Sequence, residues 1–121
     1  MQKEQIACVV DLEPDGFREG RYNHLIFNSN VSPRVGKIYV RDDEDYPYNP
    51  PEGYDCFLVV GSTPPPEFTQ RIEYDPEKGV ATILFDDRVL SRVASFCRLI
   101  FVKGDDVIKT KWFSVFSHRK E

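Results

Sequence analysis

The chain has 121 residues, of which 40% are hydrophobic and 30% charged, and its net charge is −4. That balance belongs to one globular domain large enough to bury its own core; it excludes a disordered chain and a membrane-spanning one, and argues against a purely electrostatic grip on nucleic acid. Charge is uneven along the chain: residues 1–62 carry 6 basic and 11 acidic side chains, and residues 63–121 carry 10 and 9. A phosphate-facing surface would therefore draw on Arg92, Arg98, Lys103, Lys109, Lys111, Arg119 and Lys120.

The first strand is expected from Gln5 to Leu12, apolar on both faces and so inside a sheet. The polar MQKEQ before it carries no secretory signal, which sets an intracellular expectation, cytoplasmic or nuclear, away from membranes. Glu13-Pro14-Asp15-Gly16 ends the strand. Leu25-Ile26-Phe27, the turn residues from Asn28 to Gly36, and Lys37 to Arg41 read as a strand, a turn and a returning strand, because Asn, Ser, Pro and Gly supply the angles of a reversal.

The stretch that follows has two readings. Asp42-Asp43-Glu44-Asp45 and the run Tyr46-Pro47-Tyr48-Asn49-Pro50-Pro51-Glu52-Gly53-Tyr54 form a long loop. As a connection, it is kept solvated by its acids and stiffened by its prolines. As a contact surface, it offers Tyr46, Tyr48 and Tyr54 on a backbone already restricted by Pro47, Pro50 and Pro51.

A strand from Asp55 to Gly61 and the prolines Pro64-Pro65-Pro66 come next. Thr69 to Asp75 alternates polar with apolar, Asp75-Pro76-Glu77-Lys78-Gly79 is a hairpin signal, and Val80 to Phe85 returns. Asp86 to Cys97 is the one helix expected: Val89, Val93 and Phe96 share a face, and Asp86 or Asp87 caps it. Two last strands, Arg98 to Lys103 and Asp106 to Ser117, meet at a turn. Cys8, Cys56 and Cys97 lie apart in apolar runs, which fits reduced core thiols and no metal or disulfide frame.

Laying Ala7 over Ala81 brings Leu25-Ile26-Phe27 onto Leu99-Ile100-Phe101 without a gap. A single domain over 1–121, built of two similar β units at about 1–62 and 63–121, is consistent with that echo. The expected fold class is all-β, a small barrel or sandwich with one short helix.

The motifs IACVVDL, Gly16-Phe17, LIFNSNV, Pro33-Arg34-Val35-Gly36, IYVRDDED and Cys56 to Val60 make residues 6–60 resemble the divergent cold-shock-like OB module of germline RNA helicases of the piRNA pathway. That resemblance implies a five-stranded barrel of a kind that often binds single-stranded nucleic acid; weak, salt-labile binding would use Phe17, Arg18 and Tyr22 together with the basic Lys109 and Lys111 of the second half. Of the stacking aromatics such modules use, Phe17 and Phe27 remain. LIFNSN, Tyr54 to Gly61 and FCRLIFVKGDD are also similar, in order, to the SKICH domain of autophagy adaptors, which implies an immunoglobulin-like sandwich.

No nucleophile motif, P-loop, dinucleotide fingerprint or zincin signature is present, so no catalytic residue, cofactor or metal is expected. What remains is a binding module. The acidic first half and the Tyr/Pro loop favour a protein partner, held by Tyr46, Tyr48, Pro50, Pro51 and Tyr54 within an RNA-associated assembly. Weak single-stranded RNA binding and a SKICH-like adaptor role are the alternatives.

Overall fold

The computed structural model of the chain describes residues 6–13, 23–28, 33–61 and 65–117. In chain order they form β1 (Ala7–Asp11), β2 (His24–Phe27), β3 (Arg34–Arg41), β4 (Asp55–Val60), β5 (Phe68–Asp75), β6 (Val80–Phe85), α1 (Asp87–Leu90), β7 (Ala94–Lys103), β8 (Asp106–Lys109) and β9 (Phe113–Ser117). The strands run in the order β1-β3-β6-β5-β4-β7-β9-β2, with β8 also on β7. The two ends of this path touch, and Leu12 bridges to Thr110, so the sheet curls into a nearly closed small barrel.

The core follows from strand alternation, since every second side chain points inward. Cys8 and Val10, Leu25 and Phe27, Ile38 and Val40, Leu58 and Val60, Ile83 and Phe85, Leu99 and Phe101, and Phe113 and Val115 are all buried. The inward position on β3 before Ile38 is Gly36, where an added Cβ would lie 2.8 Å from the Phe85 ring. Phe27 meets that ring at 5.7 Å between centroids. The glycine thus makes room for an aromatic pair inside the barrel rather than serving a turn.

β5 changes neighbours along its length. Phe68–Ile72 pair with β4 and Glu73–Asp75 with β6, so the sheet splays between β5 and β6. α1 stands at that opening. Asp86 caps it by accepting from the Arg88 amide at 2.9 Å, and Val89 and Leu90 are buried. Arg88 reaches back to β5, donating to Gln70 at 2.7 Å and lying 4.1 Å above the Phe68 ring.

Several expectations are corrected. The helix over 86–97 ends at Leu90; Val93 and Phe96, expected on its apolar face, are 75% and 53% exposed. Residues 94–97 pair instead with β9, and tertiary pairing outweighs a helical period in so short a segment. β2 and β3 do not return on one another: β2 runs parallel to β9, and β3 lies between β1 and β6. Among the described residues of 6–60 the only strand pairing is β1 with β3, so the described strands there form no five-stranded unit of their own. β1 was expected inside the sheet and stands at the end of the strand path, held on its far side by the Leu12 bridge.

The free thiols of Cys8, Cys56 and Cys97 sit in this core. Burial pushes Cys56 and Cys97 up to about 12 and raises Cys8 as well. In the unfolded chain the thiols ionise from the ordinary value of 9.0. Above it the unfolded state has lost protons that the folded state keeps, so the contribution is complete below pH 9.0 and is lost as pH rises. Each thiol then removes about 1.4 kcal/mol of stability per pH unit. Urea unfolding should therefore show stability falling steeply from pH 9 to 11, with a shallower fall in Cys56→Ala; a stability unchanged over that range would contradict burial of the thiols.

Candidate binding cleft at the acidic end of the barrel

Strand register gathers three connections at one end of the barrel. Tyr39 pairs with Val80, Cys56 with Ile72 and Asp55 with Val102, so the segments 42–54, 76–79 and 104–105 are neighbours. Residues 41–55, 71–78 and 103–106 hold 11 acidic and 4 basic side chains, against −4 for the whole chain.

The long loop is pinned at both ends of its run. Asp42 Oδ1 accepts from the amides of Glu44 at 3.0 Å and Tyr46 at 2.9 Å, which turns the acidic run back on itself. Asp45 holds the turn at φ 69°, a left-handed conformation that Asp tolerates better than most side chains. The Tyr48 amide donates to the Val40 carbonyl at 3.0 Å, and Pro47 packs against Gly79, which sits at φ 63° and where an added Cβ would lie 2.8 Å from Pro47. Tyr48 and Tyr74 both meet the buried Phe101 ring in T-shaped contacts, with centroids 5.3 and 4.9 Å away. The Tyr74 hydroxyl donates to the Tyr48 carbonyl at 2.5 Å, the Tyr54 hydroxyl donates to the Asp106 carboxylate, and Lys103 Nζ donates to the Glu52 carbonyl. Burial holds the Tyr74 and Tyr48 phenols above their ordinary range, and the bond to Asp106 does the same for Tyr54, so all three stay protonated.

Between residues 49–54 and β5 lies a cleft of about 800 Å³. Its origin is the change of partner on β5: past Ile72 the strand leaves β4, and the loop arches over the gap. Ile72, Tyr74, Cys56 and Phe101 form the floor, Pro50, Pro51 and Tyr54 the wall, and Glu52, Asp55, Arg71 and Glu73 the rim. Asp55 accepts from Arg71 at 3.0 Å, an exposed pair.

Of the residues expected to bind protein, Pro50, Pro51 and Tyr54 line this cleft. Tyr48 stands behind the loop as packing, and Tyr46 projects outward, 63% exposed. The floor supplied by β5 and Phe101, and the Asp106 anchor, carried no sequence signal; only the register reveals them. Of the residues expected to bind RNA, Phe17, Arg18 and Tyr22 lie outside the described residues. Lys109 is exposed and Lys111 half-buried, and their backbones hold the end of β1. Phe27 is fully buried and presents no stacking face. Of the basic reservoir, Arg92 pairs with Glu67, Arg98 with Glu13 at 2.5 Å, and Lys103 with the loop, while Arg119 and Lys120 lie outside the described residues. Among the described residues no three His, Cys, Asp or Glu side chains converge on a metal-sized site, and no helix is long and apolar enough to cross a membrane.

No family model matches the chain, and no curated protein matches its sequence. A solved structure does. The N-terminal domain of phage TP901-1 ORF48 superposes with a TM-score of 0.64 at 15% identity, covering 93% of this chain and 98% of that one. At that identity the likeness is one of fold, and it extends over nearly the whole barrel.

The packing separates two adjacent tyrosines. Tyr48→Ala should cost about 2 kcal/mol or more by opening a gap beside Phe101, whereas Tyr46→Ala should stay within about 0.5 kcal/mol of wild type. Urea unfolding of both variants measures this; equal effects would mean that Tyr48 does not pack on the core.

Proposed function

We propose that this protein is a non-catalytic protein-binding module, an adaptor whose contact surface is the acidic end of the barrel. The observation that carries the reading is the preformed cleft beneath a pinned loop, with Tyr46 left projecting beside it. An ordered surface loses little entropy on binding, and tyrosine brings large contact area with few rotamers. The surrounding acids draw a basic partner toward this end and speed encounter more than they deepen affinity. The similar fold occurs as the N-terminal domain of a phage protein, a part of a longer chain, which agrees with a module role.

The wider expectation of an RNA-associated assembly, with weak binding of single-stranded RNA, rests on the cold-shock-like pattern of residues 6–60. Its cationic contacts would be Arg18, which lies outside the described residues, and Lys109 and Lys111, which lie beside the acids Asp11 and Glu13. The SKICH-like adaptor reading shares the protein-binding role and differs in the fold family invoked.

Asp43 and Glu44 are the acids to neutralise, because Asp42 and Asp45 shape the loop. A Tyr46→Ala/Asp43→Asn/Glu44→Gln variant should melt within a few degrees of wild type and recover partners from cell extract several-fold less well. Full recovery by the variant would contradict the assignment of this surface, and recovery abolished by ribonuclease would favour the RNA reading instead.

A further inference from the structure

The cleft has the chemistry to select what enters it. Its floor and wall are aromatic and apolar, from Phe101, Tyr74, Tyr54, Ile72 and the prolines, while its rim carries three carboxylates and one guanidinium. Arg71 is taken by Asp55. Among the described residues Glu52 and Glu73 make no side-chain hydrogen bond or ion pair, and both are exposed at the mouth. A neutral apolar occupant would cover these carboxylates and strip their water without returning a partner. An acidic occupant would be repelled. A lysine would satisfy one carboxylate as a point charge, whereas the flat guanidinium of arginine lies against tyrosine rings and presents a fork of donors to carboxylates beside them.

Building on the reading of this end as a protein-contact surface, we propose that the cleft between residues 49–54 and β5 receives an arginine side chain carried on an extended segment of the partner. The arginine stem lies along Pro50, Pro51 and Tyr54, and its head meets Glu73 and Glu52. The methylenes of the same stem cover Ile72 and Tyr74 on the floor.

The probe is a blocked pentapeptide, Pro-Leu-Arg-Leu-Pro, titrated into the 15N-labelled protein, with a second peptide in which citrulline replaces arginine. Citrulline keeps the shape and removes the charge. The arginine peptide should shift the amides of Tyr54, Ile72, Glu73 and Tyr74 in a saturable way. The citrulline peptide should bind about tenfold more weakly, as expected when a charge-assisted pair is lost. A Glu52→Gln/Glu73→Gln variant, whose exposed substitutions leave the core intact, should lose the preference between the two peptides while keeping its melting temperature. Equal binding of the two peptides, shifts that never saturate, or a variant that still prefers arginine overturns the proposal. Saturable shifts centred on Tyr46 with the cleft unmoved overturn the arginine assignment and leave the contact surface standing. The absence of shifts with either peptide overturns the arginine assignment, and together with full partner recovery by the Tyr46 variant it overturns the contact surface as well.

Discussion

The barrel depends on one irregularity, at Thr110. Ile100 pairs with Lys109, but Cys97 pairs with Phe113, so residues 110–112 stand opposite 98 and 99. Such a bulge bends the strand and sharpens its twist. Thr110 is fully buried and satisfies the polar groups the bulge would otherwise strand. Its amide donates to the Leu99 carbonyl at 3.0 Å, and its hydroxyl accepts from the Leu99 amide at 3.0 Å while donating to the Lys111 carbonyl at 2.9 Å. Arg98 closes the arrangement, donating to the Thr110 carbonyl at 2.8 and 3.2 Å, lying 4.5 Å above the Trp112 ring and pairing with Glu13. Because the bulge turns backbone toward β1, the Lys111 amide donates to Asp11 and the Glu13 amide to Lys109, and the path that begins at β1 is joined to the strands that end the chain.

That closure also shapes the acidic end. β7, fixed by the bulge on one side and by β4 on the other, places Phe101 under the long loop and ends at the turn that delivers Asp106 to Tyr54. The tyrosines therefore divide their work by burial. Tyr48, Tyr54 and Tyr74 spend their rings or hydroxyls on holding the loop, and Tyr46 is left outside. A loop held in this way presents its acids and its cleft as a fixed surface.

Much of the fold was legible because strands announce themselves by alternation. The strands at Ala7–Asp11, Asp55–Val60, Phe68–Asp75 and Val80–Phe85 lie where period two and turn residues put them, and the Asp75–Gly79 hairpin is present. What failed was local evidence applied to non-local pairing. Ser32 to Gly36 looked like a reversal, yet Gly36 is glycine because of Phe85, a residue 49 positions away. Val89, Val93 and Phe96 have a helical period, yet β9 claims the last of these segments. The bulge left no sequence mark at all, since Thr110 and Trp112 fit an ordinary strand. For the site, the loop was visible through its Tyr and Pro content, whereas the cleft was not, because half of it is β5 and core.

The most direct measurement of this account is amide hydrogen exchange at Leu99, Thr110 and Lys111. Closure through the bulge predicts that these amides exchange as slowly as those of Leu58 and Phe101 in the middle of the sheet, since both sets open only when the barrel does. Exchange at Lys111 and Thr110 as fast as in the exposed turn at Gly104 would show that β1 is not joined there and that the barrel is not closed by this contact.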